Sequence, residues 1–123
     1  MIIEVPLPHR DLSPNGRPSR WAKTRAQHAQ RDWVVVALRA LGPFDPDTPL
    51  YGAVRLGYHV LWCGKPPDRT NIIGSLKSAE DALVSEGVVA DDGPDYVLGH
   101  DVTYERVAKR RDAGVRITVS PES

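Results

Sequence analysis

A chain of 123 residues with 41% hydrophobic and 26% charged residues is sized for one small globular core, and its formal net charge of zero argues against a uniformly basic nucleic-acid binder. Its one cysteine, Cys63, forms no intrachain disulfide and no thiol metal cluster, which makes an intracellular compartment the expectation. No apolar run reaches membrane-spanning length, and the opening Met1-Ile2-Ile3-Glu4-Val5-Pro6 lacks the basic start and long apolar stretch of a signal peptide.

In chain order, Ile2 to Leu7 reads as a short strand, β-branched and apolar, stopped by Pro6 and Pro8. Residues 8–19 read as a proline-rich loop with an Asn15-Gly16 turn. Ser19 is the expected N-cap of a long helix from about Arg20 to Leu41, closed by Gly42-Pro43. Trp21, Ala22, Arg25, Ala26, Ala29, Trp33, Val36, Ala37 and Ala40 trace its stripe, with Trp21 and Trp33 expected as core or dimer contacts. Arg20, Lys23, Gln27, Gln30 and Arg31 fall on its other faces, as solvated surface or as a surface facing phosphates.

From Gly52 to Cys63 the pattern alternates. Val54, Leu56, Tyr58, Val60 and Trp62 point one way, and Arg55, Gly57, His59, Leu61 and Cys63 the other. Gly64-Lys65-Pro66-Pro67 ends that strand. Asn71 to Ser85 reads as one amphipathic helix, with Ile72, Leu76, Ala79 and Leu83 on its buried face. Asp68, Thr70 or Asn71 caps its start, and Gly87 fits its C-terminal end. Tyr96 to Val107 is a further strand, Lys109 to Gly114 reads as a hairpin turn, and Val115, Ile117 and Val119 alternate with Arg116 and Thr118 in a last strand. The order β-α-β-α-β-β predicts an α+β fold, a small mixed sheet packed against two helices, in one domain over residues 1–123.

The zero net charge hides an uneven distribution. Residues 1–40 carry seven Lys and Arg against three Asp and Glu, residues 68–101 carry two against eight, and residues 102–123 carry five against three. Such zones suit an enzyme that grips phosphates with one and metal ions with the other; chance clustering on solvated faces is the plain alternative.

The acidic zone brackets the second helix. Asp68 precedes it, Asp91-Asp92 follow it, and Lys77 and Asp81 fall on a side away from its buried face, with Gly74 leaving room for something to approach. Gly87-Val88-Val89-Ala90 can run back as a short extended segment and so fold Asp92 toward Asp68. Carboxylates gathered in this way suit Mg²⁺, which activates water and stabilises a leaving oxygen in phosphodiester hydrolysis. A lysine beside them would neutralise charge on the pentavalent phosphate. The structural alternative is that Asp68 only caps the helix, Asp91-Asp92 only start a turn before Gly93-Pro94, and Lys77 with Asp81 is an i,i+4 surface ion pair. On spacing alone this alternative is the weightier one.

The same residues carry a resemblance. Asp68-Arg69-Thr70-Asn71, Lys77, Asp81-Ala82-Leu83, Gly87 and Asp91-Asp92 resemble the motif series of the RusA family of Holliday junction resolvases, crossover junction endodeoxyribonucleases with many phage-type members. That series is Asp-x-Asp-Asn, a lysine, Asp-(Ala/Gly)-Leu, a glycine and an Asp-Asp pair. Pro14-Asn15-Gly16-Arg17 followed by Trp21-Ala22 looks like the family's N-terminal asparagine-containing loop, and the element order agrees with a RusA-like fold.

The resemblance implies a homodimer that binds four-way or otherwise branched DNA and cuts symmetrically related strands in recombination and repair. It implies Mg²⁺ as cofactor, with Mn²⁺ as a substitute, no nucleotide cofactor and no membrane. The setting would be the cytoplasm of a bacterial cell, with a phage or prophage as a candidate source. Asp68 and Asp92 would be metal ligands, Asp91 a ligand or helper, and Lys77 the group that positions the phosphate or stabilises the transition state. Asn71 would support the first ligand, and Asn15, Arg17, Arg20, Lys23, Arg69, Lys109, Arg110 and Arg111 would contact DNA. Thr70 departs from the pattern, standing where the better-known members have a second Asp. One charge fewer weakens Mg²⁺ binding unless Asp81, Glu80 or a water on the Thr70 hydroxyl compensates. The alternatives are a branched-DNA binding protein with weak or lost cleavage, and an α+β interaction domain whose acids are structural. The four histidines show no zinc-type pairing, though His100-Asp101 is a further candidate to assist catalysis.

Overall fold

The clearest alternation in the sequence forms the centre of the sheet. In the computed structural model, which describes residues 1–14 and 16–122, strand β2 (Val54–Trp62) buries Val54, Leu56, Tyr58 and Val60 and turns Arg55, Gly57, His59 and Leu61 to the other face. β2 runs parallel to β3 (Val97–Arg106) on one side and antiparallel to β4 (Gly114–Pro121) on the other. Strand β1 (Ile2–Val5) pairs antiparallel with the far edge of β4, giving the order β1-β4-β2-β3. The fold is α+β, as the element order predicts.

Lys109 to Gly114 is not a hairpin turn. A 3₁₀ turn at Arg110–Asp112 carries the chain past the end of β2, so β3 and β4 lie on opposite sides of that strand. Alternation identifies a strand but not its neighbour, and the helical crossover had already placed β3 parallel to β2.

Helix α1 (Arg20–Arg39) starts as expected, with the Ala22 N–H donating to Ser19 Oγ at 3.1 Å. Its buried face differs from the apolar stripe. Ala26, Gln30, Val34 and Leu38 face inward, while Trp21 is 78% and Val36 70% exposed. Trp21 is therefore not a core residue, and Gln30, placed on the surface by its polarity, is fully buried. Counting apolar side chains misplaced the face because a hydrogen-bonded amide sits in the middle of it.

The second predicted helix is two. Helix α2 (Arg69–Ser75) and helix α3 (Lys77–Ser85) meet at Leu76, which has φ −103° and ψ 14°. Ile72, Leu76, Ala79 and Leu83 are all buried, so the predicted face continues across the break. These side chains pack with Val34 and Leu38 of α1 against the inner face of the sheet, in one core that also holds Val88 and Val89.

Gly87 ends α3 at φ 89°, and the Val88 N–H donates back to the Leu83 carbonyl at 2.9 Å. The chain beyond it runs extended beside residues 50–51, with Leu50 N–H to Gly87 C=O at 2.9 Å and Ala90 N–H to Tyr51 C=O at 3.0 Å. This is the run-back segment read from residues 87–90, and it delivers Asp91 and Asp92 to the start of α3. Among the described residues no helix is long and apolar enough to cross a membrane.

Candidate active site

Lys77 is the first residue of α3, and its ammonium is the meeting point of the acidic zone. Nζ lies 2.8 Å from Asp92 Oδ2, 3.2 Å from Asp81 Oδ1 and 3.4 Å from Glu80 Oε2. Glu80 and Asp81 arrive by helical spacing, three and four residues on. Asp92 arrives by the run-back segment, and its N–H donates to Asp91 Oδ1 at 2.7 Å. The hydrogen bond from Lys77, then that involving Asp91, holds the Asp92 carboxyl below its ordinary range. The bond to Asp92 in turn raises the Lys77 pKa above that of an ordinary lysine.

Glu80 is the buried member of this group. Its Oε1 lies 2.9 Å from His100 Nε2, so it links Lys77 on the rim to a histidine on the inner face of β3. Burial pushes the Glu80 carboxyl up, but the hydrogen bond to His100 and the electrostatic influence of His100 and Lys77 bring it below its ordinary value. The His100 ring lies 5.5 Å from that of Tyr58, and Arg69 Nη2 donates to the His100 carbonyl at 2.8 Å.

Asp68 stands elsewhere. It caps α2, with Oδ1 accepting from the Asn71 N–H at 2.8 Å and Oδ2 from Asn71 Nδ2 at 2.9 Å. Asn71 thus supports Asp68, and Ser13 Oγ lies 3.3 Å from Asn71 Oδ1. Thr70 is exposed in the first turn of α2. Burial, then the charge of Asp68, raises the pKa of Tyr104 on β3. Asp68 and Lys77 are nine residues apart and stand at the starts of two different helices. The structure therefore brings Lys77, Asp81, Asp91 and Asp92 together and leaves Asp68, Thr70 and Asn71 as a separate group. Among the described residues, no set of three or more His, Cys, Asp and Glu side chains is disposed to hold one ion. Two parts of the structural alternative are present as such, the Asp68 cap and the Lys77–Asp81 pair.

What approaches Gly74 is the chain's own N-terminal loop, since a Cβ there would collide with Pro14. A cleft of about 310 Å³ runs from this contact between α1 and α3, lined by Lys23 and Gln27 on one wall and Lys77, Ser78 and Asp81 on the other. Lys23 is thereby joined to the Lys77 group. Arg17 and Arg20 are exposed at the start of the same wall, and Asn15 lies outside the described residues. Lys109, Arg110 and Arg111 are exposed at the end of the sheet where β2 and β3 finish, away from Asp92, which precedes β3. A larger hollow of about 750 Å³ opens at that end beside Glu4, Glu105, Arg111 and Arg116. It holds none of the acidic motif, so size does not mark the site here.

Glu80 as the hub of the group was legible only as a substitute carboxylate, and Gln30 not at all. The partners of both lie on distant parts of the chain, so neither leaves a local pattern. No protein-family model matches the chain, and no curated protein matches it.

Proposed function

We propose that this chain is a Mg²⁺-dependent endodeoxyribonuclease that binds four-way or branched DNA as a homodimer and resolves it by symmetric phosphodiester hydrolysis. The observation that carries this reading is the 2.8 Å contact between Lys77 and Asp92, fifteen residues apart, at an exposed rim. It joins the lysine and the Asp-Asp pair of the motif series at one point, beside a cleft that also holds Lys23.

The donor chemistry around that point suits a hard cation. Three carboxylate oxygens surround one ammonium, so a positive charge already occupies their centre. Asp92, with Asp91 or Asp81, would hold the ion there; Asp68, with both oxygens on Asn71, does not fit as its partner in this arrangement. When bound, the ion would supply Lewis-acid stabilisation of the phosphoryl oxygens and an acidified water. Lys77, released from Asp92, turns its ammonium to the phosphate and offsets the charge that develops there. Glu80, held by its bond to His100, keeps its other oxygen 3.4 Å from that ammonium. Lys23 and the exposed arginines before it hold flanking phosphates, and two copies related by a twofold axis present two such sites to a symmetric junction.

A second reading, branched-DNA binding with weak or lost cleavage, is favoured by a specific observation. Thr70 brings no charge, and each Asp68 oxygen already accepts a hydrogen bond from Asn71. A labelled four-way junction, incubated with and without Mg²⁺, separates the two. The wild type is expected to cut only with the metal, and Asp92→Asn to bind without cutting. Binding without cutting in every divalent metal selects the second reading, and failure to bind ends both.

A further inference from the structure

Gln30 sits in the middle of α1, fully buried, yet neither of its hydrogen bonds goes to its own helix. Its Nε2 donates to the Ser75 carbonyl at 2.8 Å, and its Oε1 accepts from the Ala79 N–H at 2.8 Å. Ser75 and Ala79 are four residues apart. In an unbroken helix that N–H would donate to that carbonyl. The side-chain amide of Gln30 is inserted into this one rung of the ladder, with its donor and its acceptor each replacing the lost partner. Insertion of a side chain between i and i−4 is one of the few physical causes of a sharp bend in a helix.

The ends on either side need this help. Ser75 is the last residue of α2, and its carbonyl is one that a helix end leaves without an internal donor. Ala79 is the third residue of α3, whose N-cap position, Leu76, has no side-chain oxygen to offer. One amide from α1 therefore caps both helices. Lys77 is the residue immediately after the break. The direction in which its side chain leaves α3 follows how α3 departs from α2, and in the observed departure Nζ lies 2.8 Å from Asp92 Oδ2.

We propose that Gln30 is a positioning residue: by holding open the Ser75–Ala79 rung it fixes the bend that aims Lys77 at Asp92. It touches neither a metal nor the reacting phosphate. The role of this aim in catalysis rests on the proposed nuclease function; the aim itself does not.

The test uses the full chain and competitive acylation of its lysines, read by mass spectrometry. In the wild type Lys77, held by three carboxylates, is expected to react more slowly than the exposed Lys23, Lys65 and Lys109. Gln30→Met keeps the volume and removes both hydrogen bonds; it is expected to raise the rate at Lys77 several-fold relative to the other lysines, as Asp92→Asn does. Gln30→Glu keeps the acceptor for Ala79 and loses the donor to Ser75, and is expected to fall between. It serves as the deciding variant if Gln30→Met does not fold. A folded Gln30→Met, or failing that a folded Gln30→Glu, whose Lys77 reacts at the wild-type ratio overturns the proposal. On a junction substrate the same variants are expected to lose kcat while affinity for the junction is kept, a split that mere loss of stability does not produce. The labelling ratio needs no cleavage, so a wild type that fails to cut DNA sinks the functional reading and leaves the ratio to decide the role of Gln30.

Discussion

Individual side chains here are shifted in opposite directions, one raised by burial and two lowered by hydrogen-bonded partners. Tyr58 is buried on β2, and burial, reinforced by the nearby Glu80 charge, raises its phenol far above its ordinary 10.0. The folded state keeps this group neutral after the unfolded chain has begun to ionise. Its contribution to stability is thus complete below pH 10 and is lost as the pH rises beyond it. Glu80 and Asp92 have the opposite sign. Their folded values lie below 4.5 and 3.8, so their contribution is complete above those values and is lost as the pH falls through the lowered ones. Thermal melts across pH should show both flanks. Tyr58→Phe is expected to flatten the alkaline one and Glu80→Gln the acid one; an unchanged alkaline flank in Tyr58→Phe would place that loss on other groups. Residue identities alone made Asp68, Lys77, Asp91 and Asp92 candidates. They could not reveal that Asp68 would be spent on Asn71, because a carboxylate before a helix reads the same whether it caps or chelates.

At the scale of elements, boundaries were read well and breaks were not. The strand over 54–62, the long helix from Arg20 and the turn at Gly87 all follow from patterns within a few residues. The break at Leu76 does not, because Ile72, Leu76, Ala79 and Leu83 stay on one face across it and its cause lies on another helix. Gly87 shows how much depends on one such boundary. Its φ of 89° disfavours any side chain, and a Cβ would come within 2.5 Å of the Asp45 carbonyl carbon. Gly87→Ala is expected to destabilise the fold by about 1–3 kcal/mol in urea titrations, from the backbone strain and the displaced neighbouring segment. Since Asp92 follows this segment, the variant should, on the proposed nuclease function, also lose cleavage at temperatures where it remains folded. A wild-type urea midpoint would show that residues 45–51 yield freely.

For the whole molecule, zero net charge conceals separated zones. Lys23, Arg17 and Arg20 lie beside the Lys77 cleft, and Lys109, Arg110 and Arg111 at the far end of the sheet. On the proposed function such a layout would grip a branched duplex at two places, and junction affinity is expected to fall steeply with salt. Replacing Lys109, Arg110 and Arg111 together by alanine should weaken binding and make the salt slope shallower by about 0.9 for each phosphate they neutralise in the wild type. A slope identical to wild type would remove that turn from the DNA surface. Trp21, at 78% exposure, does not belong to the core.

The sequence by itself determined the elements and the chemistry available to them: alternation fixed β2, periodicity fixed the buried faces of α2 and α3, and local caps fixed where α1 begins and where α3 ends. It also placed an extended segment after Gly87, which is why Asp92 returns to Lys77. Only the tertiary structure decided that β3 and β4 flank β2, that α1 buries an amide, and that the acids divide between Lys77 and Asn71. Strand order, a hydrogen bond across 45 residues and the direction of a bent helix are settled by packing between distant segments, and no local pattern encodes them.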